Sequence, residues 1–271
     1  MRELLIINPN MSTAVTALLR ARAQAVLGNG VRIHARTARF GAGYIACEAS
    51  YAVAAHAALD VWAAWHAEAP VGHEAGHEAE RHEAEHEAGR PQLDAVLLGC
   101  FGDPGLHALR EGTPVPVVSL IEAAFDEAAR HGRFAIVTGG ERWGPMLHRL
   151  AGGLGQGGMV GVHTVQPSGA QLAANPEEAR RLLAEACREA ARRFDAQAVI
   201  LGGAGLGGVA ATLQDDVAVP LIDSVDAGLR RAQALAAAHP RNNGDALVRP
   251  FGVAWQGVSP ELAVLGKPVA G

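Results

Sequence analysis

The sequence predicts an α/β protein built from two similar parallel-sheet halves, and three observations predict it. Short β-branched, continuously apolar runs alternate with alanine-rich helical stretches, the pattern of βαβ units whose strands are covered on both faces. The alternation runs to about Ile121 and then starts again. The two passes also align: AVLLGC at 95–100 matches AVILGG at 198–203 at a lag of 103, and VPVVSLIEA at 115–123 matches VPLIDSVDA at 219–227 at a lag of 104.

In order along the chain, ELLIIN at 3–8 is the first apolar strand, and STAVTALLRARAQAVLG at 12–28 is a helix with Ser12 as its N-cap. VRIHART at 31–37 is the second strand, and YIACEASYAVAAHAALDVWAAW at 44–65 reads as the second helix. DAVLLGC at 94–100 and PVVSLI at 116–121 complete the first set of strands. The second pass opens with the helix EAAFDEAARHG at 122–132 and the strand RFAIVTGG at 133–140. It continues with ERWGPMLHRLAGGL at 141–154 and PEEARRLLAEACREAARRF at 176–194 as helices, and with GMVGVHTVQP, AQAVILGG and VPLIDS as strands. We expect a first domain of residues 1–118 plus about 225–271, a second of residues 119–224, and a cleft between them.

The stretch GHEAGHEAERHEAEHEAGR at 72–90 contains HExxH twice, at His73–His77 and His82–His86, a spacing that on a helix sets two imidazoles on one face as zinc ligands. Three features argue against that chemistry here. A degenerate His-Glu-Ala repeat generates HExxH by chance. The tract has no apolar face to hold it in a core. Finally, LLIIN ending at Asn8 matches FAIVT ending at Thr138 at a lag of 130, 27 more than the lag of 103 further on, and residues 66–92 span that difference. The tract is therefore expected to be an insertion in the first half, and no metal is expected.

The 271 residues are 49% hydrophobic with a formal net charge of -5, and residues 73–90 supply -4 of it through six glutamates and two arginines. No basic face for nucleic acid and no apolar run long enough for a membrane span is evident. Three cysteines without metal-type spacing suit a reducing compartment, so a cytoplasmic protein with a small-molecule substrate is expected, and a homo-oligomer is left open.

Ligands of parallel sheets bind at the carboxyl ends of the strands, where loops and helix N-termini present backbone N–H groups. Four such ends carry suggestive residues: Asn8, Asn10 and Ser12; Cys100, Phe101, Gly102 and Asp103; Thr138 with Gly139 and Gly140; and Gly203, Ala204 and Gly205. Cys100 follows an apolar strand and precedes a glycine-containing loop, a setting expected to lower its thiol pKa. Cys47 and Cys187 read as small buried hydrophobes. GAGLGG at 203–208 follows the seventh strand, without an acidic ribose ligand, and reads as a substrate loop rather than a dinucleotide fingerprint. Ser119 and Glu122, with their repeat partners Asp223 and Asp226, suit either the site or helix caps.

At INPNMST (7–13), LLGCFGDPGL (97–106), IEAA (121–124) and AVILGGAGLGG followed by VPLIDS, the chain resembles the hydantoin and allantoin racemase branch of the aspartate/glutamate racemase superfamily. The resemblance implies two pseudo-symmetric α/β domains with the active site between them and no cofactor: no pyridoxal phosphate, metal or nucleotide. It also implies two cysteines, one from each half, that remove and return a proton beside a carbonyl on opposite faces of the substrate. Cys100 matches the first, and the second falls on Gly203. Three functions follow: a racemase with an altered second proton donor, such as a water, His107 or His163; a one-cysteine decarboxylase of malonate-type acids; or a binding protein without turnover. The racemase is the expected one, with Asn8, Asn10, Ser12, Phe101, Gly102, Thr138, Gly203, Ala204 and Gly205 as its substrate-binding residues.

Overall fold

The computed structural model describes residues 1–68, 91–166, 176–239 and 251–266. The HExxH tract lies outside the described residues. Among the described residues, eight strands form two four-stranded sheets. The first contains β1 (Arg2–Asn8), β2 (Val31–Thr37), β3 (Ala95–Leu98) and β4 (Val117–Ser119) in the order β2-β1-β3-β4. The second contains β5 (Phe134–Gly139), β6 (Met159–Val165), β7 (Ala198–Leu201) and β8 (Leu221–Asp223) in the equivalent order β6-β5-β7-β8. All pairings are parallel.

Among the described residues, the α-helices are α1 (Thr13–Leu27), α2 (Glu48–Ala67), α3 (Leu106–Gly112), α4 (Leu120–Ala129), α5 (Trp143–Gly153), α6 (Pro176–Arg193), α7 (Val209–Leu213), α8 (Ser224–Ala238) and α9 (Pro260–Gly266). Side chains alternate across a strand, so each central strand feeds two cores. Leu4, Ile6 and Leu97 of the first sheet and Ile136, Ala198 and Ile200 of the second belong to one shared core with α1, α4 and α8. The opposite faces carry Leu5, Ile7, Val96 and Leu98 under Trp62 and Trp65 of α2, and Val137, Val199 and Leu201 under Leu183 and Cys187 of α6. Continuous apolar strands are required because no face is left to water.

The last helix of each pass crosses over. The helix following β4, α4, packs against β7 and β8, whereas α8, following β8, packs against β3 and β4. The two helices also pack on each other, with Arg230 of α8 paired to Glu127 of α4 at 2.9 Å. This exchange makes one body of the two halves and sets the carboxyl ends of both sheets around a single cleft. Helix α9 rests on α2, where Arg39 bridges Asp60 at 2.7 Å and Glu261 at 3.0 Å.

Three readings of the sequence change. Helix α2 starts at Glu48, not Tyr44, because residues 44–47 leave the helix path to reach the other half. His66 belongs to α2, stacked edge-on against Trp62 at 4.1 Å, rather than to an insertion beginning there. Cys47 is half-buried at the N-cap of α2, and its hydrogen bonds with Ser50 hold the thiol below its ordinary pKa. It is the ionisable thiol of the three, not a buried hydrophobe. Among the described residues, no helix is long and apolar enough to cross a membrane.

Candidate functional site

A cavity of about 60 Å³ opens between the carboxyl ends of the two sheets. One water needs roughly 10–15 Å³ on that scale, so the space suits a small molecule. Its walls come from both halves. From the first come Asn10, Cys100, Phe101 and the loop Gly43, Tyr44 and Ile45; from the second come Thr138, Trp143 and residues 202–206.

Close approach of the halves depends on a reciprocal pair of glycines. A Cβ at Gly202 would stand 2.4 Å from the Phe101 ring, and a Cβ at Gly102 would stand 2.6 Å from the Trp143 ring. Each aromatic ring thus lies on a glycine of the opposite half. Tyr44 and Trp143 add two cross-links: the Tyr44 hydroxyl donates to the Gly139 carbonyl at 2.7 Å, and Trp143 Nε1–H donates to the Ile45 carbonyl at 3.0 Å.

Of the residues expected at the site, Asn10, Cys100, Phe101, Thr138, Gly203, Ala204 and Gly205 line the cavity, whereas Asn8, Ser12 and Gly102 do not. Asn8 is fully buried, and its amide donates to Asn10 Oδ1, the Ser12 carbonyl and Thr16 Oγ1. These bonds shape the turn after β1. Ser12 caps α1 by accepting from the Val15 N–H. The Gly102 carbonyl accepts from the Tyr51 hydroxyl behind the wall. With Asn10 Oδ1 occupied by Asn8 and Ser12, the Asn10 Nδ2–H₂ is the end able to donate to a ligand oxygen.

Ser119 and Asp223 are helix caps, accepting from the Glu122 N–H and from the Val225 and Asp226 N–H groups. Glu122 and Asp226 pair with Arg110 at 2.6 Å and with Arg22 at 2.5 Å. His107 on α3 is exposed and His163 lies on the edge strand β6, and neither lines the cavity. The reading of the sequence missed Tyr44 and Trp143, the two cross-linking residues.

The Cys100 thiol departs from expectation. Burial pushes its pKa above the ordinary value, and the Asp103 carboxylate pushes it further. Backbone N–H groups at the strand end do not outweigh that desolvation. Asp103 follows in the same turn, its N–H donating to the Cys100 carbonyl, with a backbone φ of 56° and only 7% exposure. One of its oxygens pairs closely with Ser119 Oγ and the other has no hydrogen-bond partner.

Burial first, and then Glu122, lift the Asp103 pKa to about 7 against the pull of Ser119 and Arg110. Above that pH its charge opposes a thiolate at Cys100. Asp103→Asn removes the opposing charge, so alkylation of Cys100 by a thiol reagent should set in at a lower pH in the variant than in the parent. A pH profile superimposable on the parent's would refute the coupling.

Gly203 has φ 147° and ψ 133°, extended backbone of a kind that only glycine readily adopts. A Cβ there would meet Leu206 at 3.6 Å, an ordinary contact. The position therefore has room for a side chain but a backbone that resists one. Leu206 fills the space beside it and separates the cavity from a groove of about 630 Å³ between α1 and α6.

The profile of the family described as Asp/Glu/Hydantoin racemase matches residues 4–232. A hydantoin racemase of Paenarthrobacter aurescens is 32% identical over 237 residues, covering 87% of this chain and 91% of that protein. The structure is similar to that of allantoin racemase from Klebsiella pneumoniae, with a TM-score of 0.80 and 27% identity over 97% of this chain and 99% of that one. A liganded mutant of arylmalonate decarboxylase shares the fold at a TM-score of 0.61 and 15% identity, covering 90% of this chain and 96% of that one.

Proposed function

The chain belongs to the Asp/Glu/hydantoin racemase family, and on that premise we propose that it racemises a hydantoin-like or amino-acid-derived substrate at the carbon next to a carbonyl, with Cys100 as the base. The observation that carries this reading is the placement of Cys100 in the wall of a small cavity shared by both sheets, with Asn10 and Thr138 in the same wall. As the carbon gives up its proton, charge develops on the carbonyl oxygen. Preorganised donors aimed at that oxygen lower the barrier by several kcal/mol. The Asn10 amide and the Thr138 hydroxyl suit this role.

Because burial raises the thiol pKa, the base form of Cys100 grows as pH rises, and kcat/KM should still be climbing at about pH 9. Polarimetry tests the function: an optically pure 5-substituted hydantoin or allantoin should lose its rotation at a rate proportional to protein. Retention of rotation with each substrate, alongside ligand-induced stabilisation of the fold, would leave a binding protein. Gly203 supports a second reading, decarboxylation of a malonate-type acid with protonation from one face by Cys100. Release of carbon dioxide from such an acid, without loss of rotation from hydantoins, would favour it.

A further inference from the structure

We propose that the Tyr44 hydroxyl exchanges protons with the substrate carbon on the face opposite Cys100, taking the place left by the missing thiol at Gly203; this rests on the racemase reading above. Inversion needs a proton-carrying group on each face of the planar intermediate. Cys100 and Tyr44 are the two ionisable side chains that line the cavity among the described residues. Asn10 and Thr138 can donate hydrogen bonds, but neither holds a negative charge after losing a proton near neutral pH. The Trp143 N–H donates to the Ile45 carbonyl, and an indole neither gains nor loses a proton near neutral pH.

Location puts Tyr44 on the correct side. Its backbone leaves the first half after β2, but its hydroxyl reaches the Gly139 carbonyl at the end of β5. Strand β5 lies beside β7 in the second sheet, and Gly203 follows β7. Tyr44 thus serves the rim that Gly203 occupies, while Cys100 sits on the rim of the first sheet. The two groups sense each other: burial and then a thiolate at Cys100 lift the Tyr44 phenol, against a hydrogen bond with Trp143 that lowers it. The phenolic hydrogen can rotate about its C–O bond, so the proton held toward Gly139 can turn to the substrate.

The step balances with one proton shared between two groups. The Cys100 thiolate takes the proton from carbon, and the C–H electron pair moves onto the carbonyl oxygen. That pair returns to carbon as the Tyr44 O–H delivers its proton to the other face. The products are the mirror-image substrate, a Cys100 thiol and a Tyr44 phenolate. The reverse reaction starts from that pair.

Tyr44→Phe separates inversion from proton exchange. Loss of optical rotation and entry of solvent deuterium at the stereocentre are measured on the same sample in D₂O, for parent and variant. Inversion should fall at least 100-fold, within the range typical of a lost acid–base group, while Cys100-dependent exchange with retained configuration stays within tenfold of the parent. Inversion within threefold of the parent would overturn the proposal. So would an equal fall in inversion and exchange, which would make Tyr44 only a strut for its loop. A parent protein that neither inverts nor exchanges would overturn the racemase reading itself, and this inference with it.

Discussion

Cys100→Ala is expected to reduce racemisation by at least three orders of magnitude, to the level of the buffer blank, without unfolding the protein. The other ionisable group in the cavity wall among the described residues, the Tyr44 phenol, is assigned the opposite face of the substrate and cannot stand in for Cys100 on its own face. A positioned acid–base group contributes typically two to four orders of magnitude, and on the proposed mechanism its loss removes the base for one enantiomer and the acid for the other. Truncation of a side chain this small in a partly open wall should cost about 1 kcal/mol, roughly 2–4 °C in Tm for a chain of this size. Cys47 serves as the control. It carries the more ionisable thiol but caps α2 outside the cavity wall, so Cys47→Ala should leave the rate within about twofold. A Cys100→Ala protein that still racemises, or a Cys47→Ala protein that does not, would remove Cys100 from the mechanism.

Gly202→Ala is the second large effect. Its new methyl would stand 2.4, 2.6 and 2.9 Å from three carbons of the Phe101 ring, closer than real side chains approach. Phe101 is 4% exposed and has little freedom to turn away. Either the ring is driven into the cavity or the two halves part at this point. Overpacking of this kind costs about 1–3 kcal/mol, which corresponds to a loss of roughly 3–10 °C in Tm. Misplacement of the wall by about 1 Å should lower kcat/KM around 100-fold. Phe101→Leu in the same chain makes room for the methyl, so the double variant should recover most of the lost Tm, a non-additivity that identifies the contact. A Gly202→Ala protein with unchanged Tm and rate would show that the halves do not meet as described.

The sheets were legible because their strands are buried on both faces. LLII, AVLL, FAIV and AVIL carry no polar residue, and a duplicated run of that kind constrains the fold tightly. Cys100 was legible because it stands at the end of such a strand. What sequence could not convey was orientation and burial. Asn8 and Asn10 are equally polar at one strand end, yet hydrogen bonds to Ser12 and Thr16 turn Asn8 into its own turn. Tyr44 precedes an alanine-rich helix and shares its pattern. Its true partner, the Gly139 carbonyl, lies 95 positions away in the other half. The Cys100 thiol was expected to be acidified by nearby N–H groups, but desolvation outweighs them and reverses the sign. Helix capping by Cys47 was likewise hidden, since the preference for a capping group at a helix start does not distinguish a cysteine meant for the core.

Proton NMR in D₂O tests the central claim most directly. With an optically pure 5-substituted hydantoin or allantoin and catalytic amounts of protein, the signal of the stereocentre proton should decay in proportion to parent protein and no faster than the buffer blank with Cys100→Ala. Decay that is absent with the parent, or equal in parent and Cys100→Ala, would contradict a proton transfer centred on Cys100.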